Sequence, residues 1–444
     1  MRSSERRLDE SNLLEDLEQR AFAASAGATK VGLEVELLAF RGIQAVSIAD
    51  FLGACQPLLD LGELTDLSVP GQPRTFGYGA IRFTFEPGGQ LELISPPRPT
   101  ATQALEDIRK LEMLLDRVLS WSNIRRAGHG ANPWQDEHEV GLETPEPRYR
   151  AMQAYFNEIG PAGMQMMRLT CALQINIDTG EGDTVGRRWR LANALSPFLT
   201  GLFANSPMLG GRLTGWKSSR AAIWQRVDPT RTGSVLGENG PADYLQFALN
   251  ANVMLRRFPD RYVPGRPGFT FRRWLNDGDE LGYPDLADWQ YHLTTLFPSV
   301  RARGFFELRS MDTPPIRWRS VPVAVATALL LDVEAREASL ALLDPLMADL
   351  FALAVVAGRD GLGDPGVGRP AARLVELAMD AFPRLPSDWV TPQIVSDVHA
   401  FYSQFTARGR CPADELLDLR AHGRSVADLA LAAARAGETI GGGA

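Results

Sequence analysis

Four stretches of the chain alternate apolar and polar side chains with period two, the signature of strands that bury one face. In residues 81–95 Phe83, Phe85, Leu91 and Leu93 point one way, and Arg82, Thr84, Glu86, Gln90, Glu92 and Ile94 the other. Pro87-Gly88-Gly89 lies between the two runs as the turn or crossing that joins them. In residues 30–40, Glu34 and Glu36 share a face while Leu33, Val35 and Leu37 pack behind them. Residues 168–178 set Arg168, Thr170, Gln174, Asn176 and Asp178 against Leu169, Leu173, Ile175 and Ile177. Residues 305–310 align Glu307 with Arg309, and Phe306 with Leu308.

Between these runs the period lengthens to that of helices. Residues 8–24, 46–61 and 187–205 read as helices, and 102–123 as an amphipathic one with Leu105, Ile108, Leu111, Leu114, Leu115 and Val118 on one face. Residues 128–148 are polar and broken by Pro and Gly, the composition of a lid or binding loop. After Asp312 the pattern changes to Ala- and Leu-rich helical segments at 321–357, 370–382, 392–407 and 412–437. The expected fold is α+β, an antiparallel sheet with a polar face backed by helices, plus a helical C-terminal part. Expected divisions are an N-terminal helix (1–27), a catalytic core (28–320), a helical part of the same unit (321–440) and a disordered tail (441–444).

Taken singly, each strand reads as a half-exposed antiparallel strand with its polar side in water. The set of four is harder to read that way, because Glu34, Glu36, Glu86, Glu92 and Glu307 dominate it and like charges facing each other across a sheet repel. If the strands are neighbours, the converging carboxylates require divalent cations. Oxygen ligands of this kind suit Mg2+ or Mn2+, with phosphates completing the shell.

Composition narrows the function further. A net charge of −8 argues against general affinity for nucleic acid or anionic membrane, both of which attract basic patches. No apolar h-region follows the start of the sequence, and 321–331, the longest apolar run, is too short to span a bilayer, so a cytoplasmic protein is expected. Cys55, Cys171 and Cys411 are too few and too widely spaced for a disulfide framework or a zinc site, and Cys171 reads as core. Arg220 and Trp224 stand four apart in 215–233, where a guanidinium could grip a carboxylate; a solvated Arg beside a core Trp fits the spacing equally.

The runs VGLEVELLAF, FEPGGQLELIS, RLTCALQINID, LFANSPMLGGRLTGWKSSRAAIWQRVDPTRTG and WQYHLTTLFPSVRARGFFELRSMD, in that order, resemble the plant-type (family 2) glutamate–cysteine ligases. Among these they look most like the bacterial branch that serves ergothioneine synthesis, over residues 28–335. The resemblance implies a glutamine synthetase-like sheet and ATP-dependent joining of the L-glutamate γ-carboxylate to the L-cysteine amine, through γ-glutamyl phosphate. It implies metal ligands at Glu34, Glu36, Glu86, Glu92 and Glu307, and ATP contacts at Arg301, Arg309, Gln174 and Asn176. Arg309 and Arg301 are the implied catalytic residues. Arg168, Thr170, Arg220 and Trp216 are implied for glutamate, and Tyr149, Met152 and Tyr155 for the acceptor, although the last three also read as core at their helical spacing. Monomer or weak homodimer is the expected state. A ligase of the same fold with another acceptor, a phosphotransferase or ATPase using the same metal face, and a non-catalytic binding relative stay open from the residues alone.

Overall fold

The longest strand, β1 (Val31–Arg41), runs through the middle of an antiparallel sheet. A computed structural model describes residues 7–435 apart from 28, 236, 238 and 281, so the proposed tail at 441–444 lies outside the described residues. Its other main strands are β2 (Thr65–Asp66), β3 (Phe76–Tyr78), β4 (Ile81–Phe85), β5 (Leu91–Ile94), β6 (Ala172–Asp178), β7 (Val300–Ala302) and β8 (Phe305–Asp312). They lie in the order β7-β8-β6-β1-β5-β4-β3-β2. Gln44–Ala45 and Arg125–Ala127 pair with the far end of β1. Four runs that alternate in sequence thus become the five central strands of one sheet.

One face of that sheet is apolar. Leu33, Val35, Leu37, Phe83, Phe85, Leu91, Leu93, Ile175 and Leu308 are all buried in one cluster. The helix Ala101–Leu119 covers the β1/β5/β4 half and Asp183–Leu202 the β7/β8 half. Ser320–Leu331, buried along nearly its whole length, packs behind both helices, as an apolar sequence without a polar stripe must. The cluster is continuous from Leu13 to Phe405 and includes Leu374, Val398 and Phe401 of the C-terminal helices.

Local departures from the sequence pattern have physical causes. Residues 168–169 do not continue the strand: Ala162–Leu169 is a helix, and Thr170 ends it by donating its hydroxyl to the Met166 carbonyl at 2.8 Å. The segment 128–148 is no loose lid, because residues 127–135 are buried and His129, Asn132 and Gln135 are enclosed. The helical run Val333–Gly363 is long and apolar enough, by length and composition, to cross a membrane, a property sequence reading gave to no segment. It is broken by a tighter turn at Asp344–Asp349 and packs on Asp183–Leu202 and Pro365–Ala381.

Two irregularities shape the polar face. Between β8 and β6 the register slips between Leu308 and Met311, leaving Arg309 and Ser310 in a bulge. Between β4 and β5 the turn is closed by Glu86 N–H donating to the Gln90 carbonyl at 2.8 Å, with Gly89 at φ +84°. Gly88 sits against the chain of the neighbouring helix, where an added Cβ would lie 2.3 Å from the Arg168 carbonyl oxygen. Gly88→Ala should therefore lower stability by about 1–3 kcal/mol, measured as a lower urea midpoint at unchanged m-value. An unchanged midpoint would show that the turn has room to move.

Candidate active site

Strand pairing brings the carboxylates together. Glu36 on β1 lies directly opposite Glu92 on β5, and Glu86 ends the adjoining β4 arm at the hairpin turn. One carboxylate oxygen from each of Glu36, Glu86 and Glu92 lies within 4.8 Å of the others. Glu36 and Glu92 are buried and Glu86 is half-buried. Burial, and then the charge of Glu36 and Glu34, push the Glu86 carboxyl up to about 8. Burial followed by Glu86, Glu34 and Glu36 raises Glu92 well above the usual range. Three close oxygen donors, two of them buried, suit a hard divalent cation.

Glu36 is held in orientation from the strand beside it. Ala172 N–H donates to its Oε2 at 2.7 Å and Gln174 Nε2 to its Oε1 at 2.8 Å. Gln174 Oε1 in turn accepts from Arg309 Nη1 at 2.5 Å, so both ends of that amide are fixed. Glu34 accepts from Asn176 Nδ2 at 2.9 Å, while Asn176 Oδ1 is buried with no partner among the described residues, an oxygen donor on the same face.

Glu307 differs from the other four. It accepts from Arg301 Nε at 2.5 Å and Nη2 at 3.0 Å and from Arg309 Nη1 at 2.9 Å, and it is fully buried. Burial opposes its ionisation, but Arg301 and Arg309 overcome that and hold it at about 2. Glu307 is thus saturated by arginine, and the close triad consists of Glu36, Glu86 and Glu92.

A cavity of about 320 Å3 adjoins this face and is lined by Arg220, Trp224, Ser234, Arg309, Ser310 and Phe351, among others. Arg220 and Trp224 do share a helix face on Ser219–Val227, with the guanidinium carbon 5.6 Å from the indole centroid; Arg309 lies 5.8 Å from the same ring. The β8 bulge explains the grouping. It frees the Arg309 carbonyl to accept from Arg220 Nη2 at 2.7 Å and the Ser310 carbonyl to accept from Thr200 at 3.2 Å. Asp312, at the end of β8, accepts from Ser206 at 2.7 Å and from Ser218, the N-cap of the Arg220 helix, at 2.8 Å. Arg220 Nε, Trp224 Nε1 and Ser310 Oγ are buried without partners among the described residues, on three residues that line the cavity.

Other residues named from sequence sit elsewhere. Trp216 packs against Gly358 and does not line the cavity. Arg168 leaves the strand face and donates to the Glu137 and Val140 carbonyls and to Gln153, tying the 128–146 segment to the helix Pro147–Asn157. Tyr155 is buried, its hydroxyl donating to Asp228 at 2.7 Å, and Met152 joins the same core cluster. Tyr149 is half-buried near the triad, with its hydroxyl pushed up by burial and then by Glu86. Sequence reading overlooked the buried Asp228–Arg231 ion pair, 2.9 Å, beneath Pro229 and Thr232 of the cavity wall. An Asp-Pro-Thr-Arg run was its signal, an N-cap Asp three residues before an Arg.

Fold and site together define an antiparallel sheet, backed by helices, with a carboxylate triad on its polar face. The chain belongs to glutamate–cysteine ligase family 2, whose pattern matches residues 30–432. It is 35% identical to the glutamate–cysteine ligase EgtA of Mycobacterium tuberculosis over 369 residues, 77% of each chain. It is 34% identical to the chloroplastic glutamate–cysteine ligase of Medicago truncatula over 251 residues, 54% of this chain and 48% of that one. Among solved structures, a glutamate–cysteine ligase of Francisella tularensis in complex with AMP superposes with a TM-score of 0.57 at 12% identity, covering 94% of this chain and 90% of that one.

The raised Glu86 carboxyl has a defined pH signature. It keeps its proton to about pH 8 when folded but only to 4.5, its ordinary value, when unfolded. The folded state therefore holds the extra proton between those values, and this stability is present in acid and lost as pH rises toward 8. In metal-free protein, the stability of Glu86→Gln relative to wild type should climb between about pH 5 and pH 8.5, followed by urea midpoints. A difference independent of pH would refute the assignment.

Proposed function

We propose that this protein forms γ-glutamylcysteine, coupling the γ-carboxylate of L-glutamate to the amine of L-cysteine with conversion of ATP to ADP and phosphate. The convergence of Glu36, Glu86 and Glu92 carries the reading. Membership of the family and 35% identity to EgtA support the choice of substrates, and the EgtA relationship points to ergothioneine or another low-molecular-weight thiol as the destination. We infer a cytoplasmic reaction, where ATP and reduced cysteine are both available.

Activating a carboxylate this way requires the phosphates to be neutralised, the carboxylate aligned and water excluded from the acyl phosphate. Glu36, Glu86 and Glu92 would hold Mg2+, or Mn2+, with Glu34 and the open Asn176 oxygen extending the donor set. Such an ion supplies charge neutralisation for phosphoryl transfer. Arg309, between the triad's Gln174 support and the cavity, faces the phosphoryl group as its charge shifts, and Arg301 keeps Glu307 ionised to hold Arg309 in place. Arg220, with open donors beside Trp224, receives the glutamate α-carboxylate. The nucleophile is an amine, so the buried thiol of Cys171 has no part in it.

Purified protein with ATP, Mg2+ and glutamate should release ADP rapidly on addition of cysteine and yield a γ-glutamylcysteine mass. Glu36→Gln and Glu92→Gln should lower that rate by ~10²–10³-fold and abolish the Mn2+-induced rise in melting temperature. Phosphate release without amide would make the protein an ATPase or phosphotransferase, and preference for another amine would move the acceptor assignment.

A further inference from the structure

The three triad carboxylates are not held in place by the same means. Glu36 and Glu92 face each other in the β1/β5 ladder, so sheet register places both. Glu86 stands one residue beyond the last β4/β5 pair, Phe85 opposite Leu91. Its place therefore depends on the turn 86–90. Main-chain bonds close that turn on itself, Glu86 N–H to the Gln90 carbonyl and Gly89 N–H to the Glu86 carbonyl, both at 2.8 Å. They fix its shape but not where it sits in the molecule.

Gln90 supplies that anchorage. It is 3% exposed, and both ends of its amide are used. Oε1 accepts from Gly88 N–H at 3.0 Å, inside the turn, and Nε2 donates to the Thr170 carbonyl at 3.1 Å, outside it. The Met167 carbonyl lies 3.5 Å from the same nitrogen. Thr170 closes the helix Ala162–Leu169 and comes two residues before Ala172, whose N–H donates to Glu36. The Gln90 amide thus bridges the arm that carries Glu86 and the segment that orients Glu36. Gly88 seats against that segment too, leaving no room for a Cβ beside Arg168. A second tie is made by main chain alone, Glu143 N–H donating to the Pro87 carbonyl at 2.8 Å. An apolar side chain at position 90 would take the buried Gly88 N–H and Thr170 carbonyl away from this partner, and the gap between turn and segment would no longer be set.

We propose that Gln90 is a positioning residue for cation binding, its amide holding Glu86 at the distance from Glu36 that lets the two share one divalent ion. The inference rests on reading Glu36, Glu86 and Glu92 as the metal site. It goes beyond that reading by giving the placement of the third arm to a side chain that is itself no ligand. Supports of this kind set ligand geometry and, through it, affinity.

The test is direct titration of the full-length, metal-free protein with Mn2+, the free ion being counted by its paramagnetic resonance signal. Gln90→Met keeps the length of the side chain and removes both bonds. It should weaken Mn2+ binding roughly 10-fold. The Mn2+ concentration for half-maximal ADP release should rise by the same factor, with kcat at saturating Mn2+ and KM for glutamate close to wild type. Leu374→Ala, in the remote apolar core, controls for lost stability alone and should leave Mn2+ affinity unchanged. Gly88→Ala displaces the same turn by a different route and should weaken Mn2+ binding in the same direction, even if Gln90→Met does not fold. Wild-type affinity in Gln90→Met or, should that variant not fold, in Gly88→Ala would overturn the proposal, as would an equal loss in Leu374→Ala. A wild type that binds no Mn2+ refutes the metal site and this inference with it. One that binds Mn2+ but makes no amide refutes the ligase reading alone, and the comparison of affinities still decides the role of Gln90.

Discussion

Everything on the polar face answers to one repulsion, that of Glu36 against Glu92 across adjacent strands, with Glu86 closing the group. Like charges opposite each other in a sheet are unfavourable, and burial makes them more so. The apolar face opposite must supply the stability that the polar face gives up. Phe83, Phe85, Leu33, Val35 and Leu93, sealed beneath Ala101–Leu119, perform that work on the same strands whose other sides carry the acids. A strand that is entirely apolar on one side and acidic on the other cannot shift by one residue without burying a carboxylate in the core. Register is therefore over-determined, and the triad inherits that precision.

Positive charge is distributed unevenly around the acids, and the unevenness divides the labour. Glu307 receives both Arg301 and Arg309 and is fixed as an ionised anchor. Glu86 and Glu92 have no ion pair among the described residues, and burial with their like-charged neighbours raises both carboxyls. One class of carboxylate positions arginine while the other forms the proposed cation site, although both come from alternating Glu residues in strands of similar sequence. The bulge in β8 falls at Arg309, which lines the cavity while still paired with Glu307.

Much of this was legible in the sequence, and the limits follow from what period-two alternation can report. It names the residues on a face, so Glu34, Glu36, Glu92, Gln174, Asn176 and Glu307 emerge, with Glu86 and Gln90 placed around the Pro-Gly-Gly turn. It carries no information on which strands are neighbours, so the special status of Glu307 appeared only with its pairing to Arg301. Where the chain is irregular the pattern misleads. Arg168 looks like a strand residue because Leu169 and Thr170 follow it in apolar–polar alternation, yet Met-rich helix formers carry the preceding turn through it. Trp216 sits near Arg220 in sequence, but the turn between them sends its indole to Gly358. Residues that meet only by long-range packing, such as Arg148 and Tyr291, leave no periodic trace at all.

The cavity wall carries a consequence for how such a chain can be inherited. Arg309 comes from the sheet, Arg220 from the middle of the chain, and Phe351 and Ala354 from the helix Leu350–Asp360. Lys217, just before the Arg220 helix, makes a half-buried 2.7 Å ion pair with Asp414 beyond it. The C-terminal helices are thus a structural wall of the pocket and not an accessory laid over a finished enzyme. Recombination that exchanged them for a foreign helical segment would remove part of the pocket wall, so pocket and C-terminal helices must be inherited together.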